Sequence, residues 1–191
     1  MGTFMIAKDH EILLNTAEGV FVPTGTTKEL VGAVRSYVGK NASLNNCSVE
    51  ARCGSIFDPW KNEKFDYIVD DVAGVAQEVV QISPWYNNVP CESGVDGTLF
   101  VCKIIEEAQK YFNPQGLLFS PAISFPNIKT ILKTAQNNFS HVEKVSHTEW
   151  PLPKEMYAHV GLLQRLQAEN YIQYIEKFGL VLYFTDVYVA Y

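Results

Sequence analysis

Two adjacent acids, Asp70 and Asp71, follow directly on Phe65-Asp66-Tyr67-Ile68-Val69 and precede Val72-Ala73-Gly74. Paired carboxylates at the end of an apolar run can orient an amine, accept a proton from a hydroxyl, or cap a following helix. Tyr67, Ile68 and Val69 are aromatic or β-branched without a polar interruption. That pattern predicts a strand buried on both faces, as in a parallel sheet covered by helices. Open α/β sheets bind ligands beyond the carboxyl ends of such strands, so Asp70 and Asp71 are the candidate catalytic residues. Capping is the alternative role, and the two can coexist.

The elements around this stretch must position it. Short apolar pieces near Phe4–Ala7 and Ile12–Leu14 predict a small hairpin or a leading strand. Val20-Phe21-Val22-Pro23 is a short strand ended by proline, and Thr26 or Thr27 caps a helix carrying Leu30, Val31, Val34, Tyr37 and Val38. Unpaired amides at that helix start could meet an anion, which makes Thr26 a ligand candidate, or the start is simply capped. Val49, Ala51 and Cys53 alternate as one face of a strand that runs into the Gly54-Ser55-Ile56-Phe57 turn. Only residues 58–64 separate that strand from the next, too few for the crossover that parallel neighbours need. Downstream, helical stripes are expected over 75–82, over 99–112 with Val101, Ile104, Ile105 and Ala108 inward, from Ile128 through Ala135, and over 154–170. Strands are expected at 117–119 and 142–148, with a closing hairpin of 171–175 and 180–191 around Lys177-Phe178-Gly179. Strands alternating with helices and no Gly/Ser-rich linker predict one α/β domain over 1–191, with a lead-in at 1–19 and a C-terminal helix and hairpin at 151–191.

Composition narrows the function. The 191 residues are 47% apolar and 19% charged, with a net charge of −6 and a pI near 5.2. No duplex nucleic-acid partner is expected from such a balance. Cys47, Cys53, Cys91 and Cys102 form no CxxC pair, and the early Lys8, Asp9 and His10 interrupt any signal peptide. A cytoplasmic location without a membrane partner is therefore the expectation. GxGxxG, GxxxxGK[ST], GxSxG, HExxH and EF-hand motifs are absent. His141 and His147 could share one face of a strand, but no third ligand stands near, so no metal is expected. Ser83, Ser93, Ser120 and Ser124 have no evident base in the sequence.

Taken in order, Val20-Phe21-Val22-Pro23 with Thr26-Thr27-Lys28-Glu29-Leu30-Val31, then Val49 to Phe57, Phe65 to Val69, and Asp96-Gly97 through Leu118 resemble class I S-adenosylmethionine-dependent methyltransferases of the HemK-like group. The resemblance spans residues 20–150. It implies a Rossmann-like, mostly parallel sheet with a terminal antiparallel hairpin and helices on both faces. By the same resemblance Gly54, Ser55 and Ile56 lie against the adenine of S-adenosylmethionine, and Asp70 and Asp71 face its methyl group. Trp85 and Tyr86, with the loop at 91–98, would form the substrate side, where aromatic faces can enclose a cation or simply pack.

Two departures from the family pattern stand out. The Gly-rich first motif, the second strand and the ribose-binding acid, expected between Lys40 and Asn41, are missing. Asp70-Asp71-Val72-Ala73 replaces the family's Asn-Pro-Pro-Tyr, so a glutamine-type acceptor is not implied. The implied reaction is methyl transfer to a nitrogen or oxygen of a small-molecule or protein substrate. Its rival is a non-catalytic methyltransferase-like binding or scaffold module. A third reading, a small-molecule-binding α/β protein unrelated to methyl transfer, explains fewer residues.

Overall fold

The computed structural model describes the strands Gly2–Ala7 and His10–Leu14, Arg52, and residues 55–72, 74–86 and 93–191. The chain divides into two compact units, Met1–Gly54 and Ser55–Tyr191. In the first unit, β1 (Gly2–Ala7) and β2 (His10–Leu14) pair antiparallel, Phe4 opposite Ile12. This is the hairpin expected there. Thr26, Gly54, the predicted element at 20–38 and, apart from Arg52, that at 48–53 lie outside the described residues.

The second unit holds β3 (Phe65–Val69), α1 (Gln77–Ile82), α2 (Leu99–Ala108), β4 (Phe112–Ile123) and α3 (Ile128–Asn138). They are followed by β5 (Val142–Pro151), α4 (Lys154–Tyr157), α5 (Val160–Ala168), β6 (Ile175–Lys177) and β7 (Leu180–Ala190). The sheet order is β3-β4-β7-β5, with β6 also on β7. It is an α/β unit with an open, mixed sheet. The expectation of a mostly parallel sheet is corrected. Only β3 and β4 run parallel, whereas β7 is antiparallel to β4, β5 and β6. A strand returning through the tight Phe178-Gly179 turn can only pair antiparallel with β6. Because β7 then lies between β4 and β5, it sets the direction of half the sheet.

Strand alternation distributes the helices. Leu118 and Ala190 pair across β4 and β7 and point into a core with Val101, Ile104, Ile105, Ile131 and Ala135. Thus α2 and α3 cover this face, through the stripes that the sequence predicted. Ile123 and Tyr183 belong to the opposite face and pack with Val79, Phe125, Met156, Leu163 and Leu166 from α1, α4 and α5. On β3 only Ile68 is turned to the helix-covered side; Tyr67 and Val69 are 66% and 74% exposed. The strand predicted as buried on both faces is, in fact, an edge strand of the described sheet with one face open.

Local chemistry shifts several boundaries. The helix predicted over 154–170 divides at Ala158-His159, where His159 leaves the helical region at φ −112°, ψ 20°. Its second part ends in a Schellman motif: Asn170 is left-handed (φ 62°), with Tyr171 N donating to Leu166 O and Asn170 N to Gln167 O. Asn127 starts α3 by accepting from Thr130 N at 3.1 Å. Strand β5 runs past Trp150 to Pro151, with a bulge between Lys144 and Ser146. One extra residue reverses the alternation, so His141, opposite Tyr191, and His147, opposite Asp186, face opposite sides of the sheet. Their expected shared face is corrected accordingly. Among the described residues no helix is long and apolar enough to cross a membrane.

Gly97 sits at φ 77°, where an added Cβ would lie 2.6 Å from Ala76 N and 2.9 Å from Pro126 Cβ. Left-handed strain and overlap together predict that Gly97→Ala costs more than about 2 kcal/mol. Nothing lies within 4 Å of a Cβ on the helical Gly161, so Gly161→Ala should instead stabilise by roughly 0.4–1 kcal/mol. Urea midpoints for both variants check the pair, and equal shifts would contradict this packing.

Candidate functional site

Parallel pairing of β3 with β4 places Val69 opposite Phe119, which sets Asp70 beside Ser120. Asp70 N continues the ladder by donating to Phe119 O at 2.9 Å. The Asp70 carboxylate is 4% exposed and doubly held: Val72 N donates to Oδ1 at 3.0 Å and Ser120 Oγ to Oδ2 at 2.9 Å. Burial pushes its pKa up, the two hydrogen bonds oppose that rise, and the neighbouring Asp71 adds to it. Asp71 itself is exposed. The pair therefore splits into an inner acid built into the strand end and an outer acid open to a ligand.

A cleft of about 330 Å³ runs along β3, from Phe65 past its carboxyl end to Val72. Ile56, Phe57 and Trp60 form its apolar and aromatic wall, Ile68 and Ile104 reach it from the core side, and Asp70 and Asp71 close it. Phe57 stacks on Tyr111 at 4.3 Å between ring centroids, and Trp60 meets Phe65 edge-on at 5.6 Å. Ile56 adopts φ 48°, in a turn closed by Asp58 N donating to Ser55 O at 2.9 Å. A β-branched residue there is strained by roughly 1–3 kcal/mol, a kind of strain that clusters at ligand sites.

The tertiary structure thus gathers Ile56, Asp70 and Asp71 in one cleft, with Ser55 exposed in the adjoining turn. Trp85 and Tyr86 are not among its lining residues. Trp85 packs against Tyr183 at 5.2 Å and Phe125 at 6.3 Å, and Tyr86 joins the core of α1, α4 and α5. Packing, the alternative reading of these aromatics, describes their contacts. Sequence reasoning gave Phe57 and Trp60 no site role and met Ser120 only as a serine without an evident base. Ser120 becomes a partner of Asp70 only through the β3–β4 register, which no single strand announces. The clustering of Phe57, Trp60 and Phe65 was visible as an aromatic spacing that ordinary core packing would also produce.

Among the described residues no three His, Cys, Asp or Glu side chains are placed to hold a metal ion. Compared with protein-family models, curated proteins and solved structures, the chain matches none.

A raised folded-state pKa means that the folded protein holds the Asp70 proton above the pH at which the unfolded chain releases it. Its stabilising effect is complete below the unfolded pKa of about 3.9 and fades as pH rises through the folded value. Relative to Asp70→Asn, the wild-type chain should therefore lose stability as pH rises above about 4. Urea midpoints of both proteins across that range check the sign, and the opposite trend would mean that the carboxylate is stabilised in its ionised form.

Proposed function

We propose that this chain is a class I S-adenosylmethionine-dependent methyltransferase domain, acting on a nitrogen or oxygen of a small-molecule or protein substrate. The observation that carries the reading is the cleft that runs along β3 and reaches Asp70 and Asp71 at the carboxyl end of the parallel β3–β4 pair, where a ligand site belongs in an α/β sheet. Its lining suits the cofactor: the aromatic Trp60 beside Ile56 offers apolar surface to a purine, and the exposed Asp71 stands at the other end, toward the methyl group. When bound, S-adenosylmethionine supplies a methyl group on a sulfonium that is already a good leaving group.

The chain's own part is then positioning, which supplies much of the acceleration in such reactions. Asp71 orients the acceptor amine or hydroxyl and takes up its proton. Asp70 fixes the strand end from beneath, through Val72 N and Ser120 Oγ.

A second reading, a non-catalytic methyltransferase-like module, draws support from the same carboxylate. Both oxygens of Asp70 are engaged by the protein itself, a structural task that needs no substrate. The missing Gly-rich motif points the same way.

Calorimetric titration of the full chain with S-adenosylhomocysteine separates the two. The enzyme reading expects a Kd on the order of micromolar, with Trp60→Ala weakening binding by roughly tenfold, the size of one lost stacking contact. Absence of binding by a folded chain would overturn it and leave the scaffold module.

A further inference from the structure

A second concavity, of about 610 Å³, lies between α3, the segment 167–175 and the α3 side of β5 and β7. It shares no lining residue with the Asp70 cleft. Ile128, Leu132 and Phe184 give it an apolar floor. The polar end is built around Asp186, 4% exposed, which accepts from His147 Nδ1 at 2.5 Å, Tyr188 hydroxyl at 2.9 Å and Lys144 Nζ at 3.4 Å. Lys129 stands on the rim, donating to Asn170 Oδ1 at 2.6 Å.

Charge and shape point to one ligand class. Lys129, Lys144 and His147 line the groove against a single carboxylate, Asp186, which gives a local cationic excess in a chain of net charge −6. Just outside, Glu149 is occupied by Lys177 at 2.6 Å and only weakly approached by His147 Nε2 at 3.4 Å. The buried carboxylate fixes the histidine ring through Nδ1, and the outward Nε2 meets Glu149 Oε1 at 3.4 Å. An ordered cationic rim over an apolar floor fits the general form of a small-molecule site, apolar in body with a few convergent polar groups.

We propose that this groove binds a small molecule with a flat apolar body and one anionic group, carboxylate or phosphate. The body rests on Ile128, Leu132 and Phe184, and the anion sits between Lys129, Lys144 and His147. The site is independent of the methyltransferase reading, since the groove and the Asp70 cleft have no residue in common.

The test titrates the full chain with benzoate, phenyl phosphate and neutral benzamide, followed by calorimetry and by chemical shifts of the His147 ring. At least one anion should bind, the stronger of the two identifying the preferred headgroup, and benzamide should bind roughly tenfold more weakly, the value of one charge-assisted contact. Lys129→Gln with Lys144→Gln should remove that preference while leaving the circular dichroism unchanged. The inference is overturned if neither anion binds below about 10 mM, or if benzamide binds as well as the anions. It also fails if the double variant, or the wild-type His147 shifts where that variant does not fold, shows no response tied to the anion. S-adenosylhomocysteine titrated in parallel reports on the Asp70 cleft alone, so failure at one site is distinguishable from failure at the other.

Discussion

Strand Leu180–Ala190 is hydrogen-bonded along both of its edges, and much of the second unit depends on that constraint. Its backbone serves β4 on one side, β5 on the other, and β6 near its start. A strand with both edges occupied has no freedom to slip, because a one-residue shift would turn every side chain to the other face. Ala190, Tyr188, Asp186 and Phe184 are thereby fixed on the side of α2 and α3, and Val187, Thr185 and Tyr183 on the side of α1, α4 and α5. From this register follow both the packing of α2 and α3 and the placement of a buried carboxylate at Asp186.

Buried polar atoms are matched throughout this frame. Ser120 donates to Asp70, and Ser124 Oγ accepts from Phe184 N at 3.1 Å. Ser93 Oγ accepts from Phe100 N at 3.0 Å at the start of α2. Among the described residues no buried side-chain nitrogen or oxygen lacks a partner. An unpaired group in such surroundings costs roughly 1–3 kcal/mol, so each pairing also acts as a restraint on register. Asp70 shows how one residue can serve both structure and a site. Its side chain locks the end of β3, and the locked end holds Asp71 at the mouth of the cleft.

The two concavities differ in kind. The Asp70 cleft is walled by aromatic and aliphatic side chains with acids at one end, whereas the groove beside Asp186 has an apolar floor and a cationic rim. Opposite charge at two sites on one small unit implies different ligands. The cleft favours a group that is neutral or cationic where it meets the acids, and the groove favours an anion. Neither preference follows from the net charge of the chain, because local fields in a concave site outweigh distant surface charge screened by salt.

Much of this was legible in the residues themselves. Helical spacing alone located Val101, Ile104, Ile105 and Ala108 as the inner face of α2, because amphipathic periodicity is local. The abrupt passage from Val69 to Asp70-Asp71 marked a strand end, and Phe178-Gly179 marked the final turn, for the same reason. The open face of β3, the bulge that separates His141 from His147, the break at His159 and the Asp70–Ser120 bond were not legible. So too was the joining of His147 with Asp186, which are 39 positions apart. Each of these depends on which strand lies next to which, and in what register. That choice is made by the packing of distant segments against one another, a cooperative property that no local pattern of residue types carries.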